Sequence, residues 1–242
     1  MILRITNKCT MGCSHCFIDN ASPTGSHMDE STFIECLCFA KKCQAKSLII
    51  SGGEPFEHPK LFDFLRLAMN AGFPAIIVAT NGTFASNENL YNQATNPEFN
   101  NVMFQVTNDS RFYPQNVNSI KSKFEGKKWF FIQRIQKIHR CNRTEKNKII
   151  TDPPTSTCCN IRSIFNEVKK LDVAIQILEN VLQKFCKPSI NTDGSIAVGE
   201  KDTCFKIGHV SDDIERIEAM LHAMQCDNCN ISIQESRRYH AK

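Results

Sequence analysis

No apolar run in this sequence reaches membrane length, and its start carries no charged, apolar and cleavage-site pattern. The expectation is a cytoplasmic chain in a reducing compartment, with no membrane partner. Charge of one sign is not concentrated either. The net charge of +4 is mild, and the charged stretches 121–128 and 134–148 read as solvated faces or loops. That argues against a dedicated nucleic-acid surface. There is no Ser–His–Asp set, no nucleotide P-loop, no internal repeat and no low-complexity tract. What remains is 242 residues, 41% of them apolar, enough for one large domain or a core with a small appendage.

Cysteine, by contrast, is abundant. The chain has thirteen, an odd count that in a reducing compartment reads as metal ligands or buried thiols rather than disulfides. Three of them follow the short apolar strand at 2–6, as Cys9-Thr-Met-Gly-Cys13-Ser-His-Cys16. Three thiolates at these gaps can hold one corner of an iron–sulfur cube and leave its fourth iron open, as a catalytic site needs. A zinc loop or a trio of core thiols is the bland alternative. A second feature is Ser51-Gly52-Gly53-Glu54-Pro55, after the apolar run 47–50. Paired glycines allow close approach to the backbone where a Cβ would clash. Alone, this segment could be an ordinary turn.

Together these motifs resemble the radical SAM (S-adenosylmethionine) enzymes. In that family the three cysteines hold a [4Fe–4S] cluster, His15 stands where a ring side chain is usual, and Gly52, Gly53, Glu54 and Pro55 meet the methionine end of the cofactor. Asn81, in Thr80-Asn81-Gly82 at the next strand end, is a further cofactor contact or a simple turn. The resemblance also implies polar ribose contacts from Gln105, Asn108 and Asp109 in Phe-Gln-Val-Thr-Asn-Asp. Arg134 is either a contact to the cofactor carboxylate or a solvent-facing arginine.

Strand-like runs at 2–6, 47–51, 75–79, 102–106 and 129–135, with a sixth at 148–150, alternate with helical stretches at 30–45 and 60–71. Asp29 or Ser31 can cap the first helix and Gly72 stops the second. The Asn-rich stretch 87–101 reads as partly irregular. Repeated strand–helix units imply an α/β fold with a parallel sheet and right-handed crossovers. All three motifs sit at C-terminal strand ends, where such sheets collect ligands. The family's partial (β/α)6 barrel fits this order. Pro153-Pro154 breaks the pattern, so the barrel core is expected at 1–155 and a helical connection at 156–185. The apolar stripe of that connection is Ile175, Leu178, Val181, Leu182 and Phe185.

A third unit is expected at 186–242. Residues 189–198 alternate around Asp193-Gly194, a strong hairpin signal. Cys186 and Cys204 bracket the hairpin; a helix near 212–224 leads to Cys226-Asp-Asn-Cys229. Four thiolates can close a zinc site or a [4Fe–4S] site, and spacing alone does not separate them. The order Cys186, twelve residues, Gly199, four residues, Cys204, then Cys226-x-x-Cys229 resembles the twitch domain, the shortened relative of the SPASM domain. The resemblance implies a second, auxiliary [4Fe–4S] cluster on these four cysteines. Cys36, Cys38, Cys43, Cys141, Cys158 and Cys159 read as packing or loop thiols.

The implied activity is reductive cleavage of S-adenosylmethionine and hydrogen abstraction from a substrate, with the auxiliary cluster accepting an electron. A flavodoxin or ferredoxin would supply the reductant. The expected substrate is a ribosomally made peptide. Because the sequence begins at the first strand, such a peptide is expected to need a separate recognition protein or the barrel itself. Dehydrogenation of a sugar or cyclitol, radical activation of a partner enzyme, and a non-enzymatic iron–sulfur carrier are the competing readings.

Overall fold

The computed structural model of the chain describes residues 1–13, 16, 18, 21–107, 122–124, 130–133, 188–198 and 206–223. Strands β1 (Ile2–Thr6), β2 (Ser47–Gly52), β3 (Ala75–Thr80), β4 (Val102–Thr107) and β5 (Phe130–Gln133) run parallel, each beside the next. Helices α1 (Glu30–Lys42), α2 (Leu61–Asn70) and α3 (Glu88–Ala94) connect the first four. Parallel neighbours need such crossovers, because a tight turn cannot return the chain to the same end of the sheet. The protein is therefore mixed α/β, as expected. The expected sixth strand at 148–150 and the helix within 156–185 lie outside the described residues.

α1 starts where the sequence indicates. The Asp29 carboxylate accepts from Thr32 N at 2.7 Å and satisfies one of the open amides of the first turn. The helix ends at Lys42, three residues short of expectation. Gln44 takes φ of +52°, and Ala45 N donates back to Ala40 O at 2.9 Å. That closes the helix with a left-handed residue where glycine is usual. α3 forms within the stretch expected to be partly irregular, because the Asn87 side chain accepts from Asn89 N and Leu90 N.

Alternate residues of the strands face the helices. Leu3, Ile5, Leu48, Ile50, Ile76, Val78, Phe104 and Val106 form one core with Phe33, Leu37, Phe64 and Leu65. Phe33 of α1 stacks on Phe64 of α2 with ring centroids 4.1 Å apart. Burying each such ring is worth about 1.5–3 kcal/mol. The intervening residues point to the second face in rows across the sheet, two of which bear on the site. Ile2, Ile49, Ile77 and Met103 lie side by side across the sheet. One step toward the C-terminal ends come Arg4, paired with Ser51, and Ala79, paired with Gln105.

The sheet does not stop at β1. Strand β6 (Pro188–Ile190) pairs parallel with β1, and β7 (Ser195–Val198) and β8 (Lys206–His209) follow antiparallel. Helix α4 (Ile214–Ala223) packs on β8. The order is β5-β4-β3-β2-β1-β6-β7-β8, with β1 in the interior. Ile190, Ile196, Ile207, Val210 and Ile217 belong to the same apolar core as α1 and α2. Among the described residues no helix is long and apolar enough to cross a membrane.

Candidate active site

The parallel strands bring the turns after β1, β2 and β3 to one end of the sheet. After β1 the chain makes a loop pinned at its base. Asn7 N donates to Ser26 O at 2.8 Å, Ser22 N to Asn7 O at 3.0 Å, and Cys9 N to Ser22 O at 2.9 Å. A Cβ on Gly25 would lie 2.2 Å from the Asn7 carbonyl carbon, so only glycine lets the two sides of this base meet. Within the loop Gly12 adopts φ of +59°, and Cys16 N donates to Cys13 O at 3.1 Å.

Cys9, Cys13 and Cys16 are half-buried thiols in this loop. Met11, 3% exposed, packs against Cys9 and Cys13. Burial pushes the Cys9 thiol up to about 11, and burial with the neighbouring Cys16 and Cys9 pushes Cys13 up to about 12. The thiols are thus close enough to feel one another. They hold their protons at neutral pH until a metal displaces them. Among the described residues no three His, Cys, Asp or Glu groups converge as a single metal ion requires. An iron–sulfur cube makes no such demand, since each thiolate binds a different iron. The donor set, three soft sulfurs in one loop, fits a cluster. His15 lies outside the described residues.

The glycine turn sits against this loop. Gly53 N donates to Thr6 O at 2.7 Å and Glu54 N to Lys8 O at 2.8 Å. A Cβ on Gly52 would stand 2.2 Å from Thr6 O, and one on Gly53 would stand 2.3 Å from Lys8 O. Gly52 also takes φ of +142°. The backbone of the cysteine loop thus already requires both glycines, which is a different reason from the ligand approach inferred from sequence. Pro55 opens a short 3-10 turn over Pro55–Glu57.

Glu54 is 2% exposed. Its Oε1 accepts from Phe56 N at 3.2 Å and from Thr80 Oγ1 at 2.7 Å, and its Oε2 accepts from Asn81 N at 2.8 Å. The carboxylate clips the end of β3 to the end of β2. Burial nevertheless outweighs these donors and pushes its pKa up to about 7. Within Thr80-Asn81-Gly82 the sequence points to Asn81 and not to Thr80, whose hydroxyl both donates to Glu54 and accepts from Gly82 N at 3.0 Å. The Asn81 side chain accepts from Thr83 N and Thr83 Oγ1 at 2.8 and 2.6 Å, closing a local turn. Beside Cys9, Lys8 pairs with Glu57 at 3.1 Å. Thr6 Oγ1 lies 2.8 Å from His27 Nδ1.

The structure therefore gathers Cys9, Cys13, Cys16, Gly52, Gly53, Glu54, Pro55 and Asn81 at one end of the sheet. Gln105 is half-buried on the second face, in the row of Arg4 and Ser51. Asn108, Asp109, Arg134, Cys186, Cys204, Cys226 and Cys229 lie outside the described residues.

Comparison with solved structures shows where this architecture recurs, in proteins crystallised with S-adenosylmethionine or with peptides. Streptococcus suis SuiB, crystallised with its precursor peptide SuiA, superposes with a TM-score of 0.56 at 11% identity, covering 95% of this chain and 65% of SuiB. anSMEcpe, with bound AdoMet and the Cp18Cys peptide, gives a TM-score of 0.56 at 14% identity, covering 96% of this chain and 81% of that protein. At such identities the likeness is one of fold. In sequence, 92 residues are 34% identical to a Pyrococcus furiosus protein described as a tungsten-containing aldehyde ferredoxin oxidoreductase cofactor-modifying protein. The match spans 37% of this chain and 26% of that protein. No family model matches the sequence.

Proposed function

We propose that the chain is a radical SAM enzyme holding a [4Fe–4S] cluster on Cys9, Cys13 and Cys16 and S-adenosylmethionine beside the Gly52–Gly53 turn. One observation carries the reading. The three-thiol loop and the glycine turn, thirty-six residues apart between Cys16 and Gly52, are tied backbone to backbone at Gly53–Thr6 and Glu54–Lys8. The same tie brings the Asn81 turn, clipped through Glu54, to the side of the thiols, where a second ligand would meet the cluster. When bound, the cluster and S-adenosylmethionine supply the hard chemistry, reductive cleavage to a 5′-deoxyadenosyl radical that abstracts hydrogen from a substrate. The work of this chain is positioning. The pinned loop base sets the thiols, Glu54 fixes the β3 turn beside them, and the Asn81 turn and Gln105 would contact the cofactor.

The substrate we favour is a peptide, as SuiB and anSMEcpe were crystallised with peptides. The auxiliary [4Fe–4S] cluster on Cys186, Cys204, Cys226 and Cys229 belongs to the same reading and would accept an electron after hydrogen abstraction. The described elements support it by placement. β6 begins two residues after Cys186 and β8 two residues after Cys204, while α4 ends three residues before Cys226. Pro188 pairs with Val198 and Lys206 with the adjacent Ala197, so these two strand starts share one end of the sheet. It is the end where β1 begins, opposite the Cys9 loop and about 17 Å from the end of β1 along the strand. We further propose a partial barrel for the core, a twitch-type unit from 186, and a flavodoxin or ferredoxin as reductant.

Anaerobic reconstitution should load about eight irons per chain, and the reduced protein should cleave S-adenosylmethionine to methionine and 5′-deoxyadenosine. Zinc retained with only four irons would remove the auxiliary cluster. Full iron loading without cleavage would leave an electron carrier.

A further inference from the structure

Arg4 is a charged side chain 2% exposed, in a strand whose neighbouring residues Leu3 and Ile5 are fully buried. Arginine is almost never placed so deeply without a fixed partner. Its Nη1 donates to Oδ1 of Asn191 at 3.0 Å, a bond joining residues 187 positions apart. Asn191 is 8% exposed and opens the β6–β7 turn. It is itself held on several sides. Its Nδ2 donates to Ser195 Oγ at 3.0 Å, its backbone N donates to Ser195 O at 2.9 Å, and its O accepts from Gly194 N at 3.0 Å. Ser195 Oγ in turn donates to Asp193 Oδ1 at 2.6 Å.

The same turn touches the base of the cysteine loop. Asn7 Nδ2 donates to Thr192 Oγ1 at 3.3 Å, and Ser26 Oγ stands 3.5 Å from that hydroxyl. Asn7 and Ser26 are the two sides of the loop base, joined by Asn7 N to Ser26 O. The hairpin turn thus grips the chain twice, at Arg4 inside β1 and at Asn7 beyond its end. Gly194 permits this geometry. It takes φ of +79°, and a Cβ there would stand 2.5 Å from His209 Nε2, which lies 2.9 Å from Asp193 O.

We infer that Arg4 is a positioning residue for the three-cysteine loop: through Asn191 it locks the hairpin turn that braces Asn7 and Ser26, and so sets the loop base from which Cys9 departs. The hairpin then braces the first cysteine set, while Cys186 and Cys204 flank it in sequence. This rests on the reading of Cys9, Cys13 and Cys16 as the first cluster site. The test avoids depending on it by using the full chain without iron.

Amide hydrogen exchange is measured, under reducing conditions, on the wild type and on Arg4→Gln, Arg4→Lys, Asn191→Ala and Thr192→Val. A hydrogen bond to a charged group governs the bracing, so the Cys9 and Ser22 amides should exchange roughly ten- to a hundredfold faster in Arg4→Gln and Asn191→Ala. The Val78 and Phe104 amides in β3 and β4 should keep their wild-type protection. Arg4→Lys should restore part of the loss, and the Arg4→Gln/Asn191→Ala double variant should be no worse than either single one. Thr192→Val, which leaves Arg4 paired and is the mildest change, should loosen Cys9 and Ser22 to a smaller extent. Acceleration of all amides together would overturn the inference, because Arg4 would then serve only global stability. Acceleration confined to Asn191 and Gly194 would overturn it too. Failure of the iron-loaded wild type to cleave S-adenosylmethionine would sink the proposed function and leave this exchange pattern standing.

Discussion

Glu54 falls in the motif that suggested a cofactor contact, yet both its carboxylate oxygens are taken by protein donors: Phe56 N, Thr80 Oγ1 and Asn81 N. Its contribution at the residue scale is to lock two turns together, and it does so as a titrating group. Burial raises its pKa from 4.5 to about 7, so the folded chain holds this proton more tightly than the unfolded chain does. The resulting stabilisation is fully present below the ordinary carboxylate pKa and is lost as pH rises through about 7. The range involved is on the order of 3 kcal/mol at most. Urea unfolding of the iron-free protein should therefore show the wild type losing stability relative to Glu54→Gln between pH 5 and pH 8, while His27 and His58, whose pKa values burial lowers, add an opposite slope to both proteins alike. Equal pH slopes in the two proteins would show that the carboxylate does not carry this dependence. The substitution also removes an acceptor facing Thr80 or Asn81, so at pH 5 the Glu54→Gln variant should be less stable than the wild type by about 1–3 kcal/mol.

At the scale of elements, the turn after β2 and the loop after β1 behave as one unit, since each glycine of the turn faces a carbonyl of the loop. Gly53→Val should therefore disturb more than ligand access. With Lys8 O 2.3 Å from the new Cβ, the loop base must shift, and the variant should lose iron from the first site while β3 and β4 remain folded. Iron analysis after reconstitution checks this; a variant that keeps its iron and loses only S-adenosylmethionine binding would restore the ligand-approach explanation. The elements themselves were largely legible in the sequence. β1 to β5 announced themselves as short apolar runs, and Asp29 marked the start of α1. Two things were hidden. The end of α1 depends on Gln44 entering a left-handed conformation that its side chain does not advertise. α3 depends on Asn87, one asparagine among several, acting as a cap. The cysteine and glycine motifs were readable because their chemistry is local. Thr80, Arg4 and Asn191 were not, since a buried hydroxyl, guanidinium or amide acquires its role only when distant segments meet.

On the scale of the whole molecule, the pairing of β6 with β1 is what no local pattern could indicate: Ile2 meets Ser189 and Leu3 meets Ile190 across the length of the chain. It turns β1 from an edge into an interior strand and gives the hairpin an apolar foundation of its own. Ile190 and Ile196 are fully buried in the main core, with Ile207, Val210 and Ile217 nearly so. Small cysteine-rich units commonly unfold without their metal, because the metal replaces a core they lack. This hairpin has a core. Replacing Cys226 and Cys229 by Ala should therefore leave β6 to β8 in the sheet, with the circular dichroism of the wild type and a single cooperative unfolding transition. The iron count should fall by about half if the four cysteines hold a cluster, while the first site keeps its iron and cleavage of S-adenosylmethionine continues. Under the proposed function product formation should stop, because the proposed electron acceptor is lost. A double variant that unfolds would show that the metal, and not the shared core, holds the hairpin in place. One that folds and still forms full product would remove the electron-accepting role from these four cysteines.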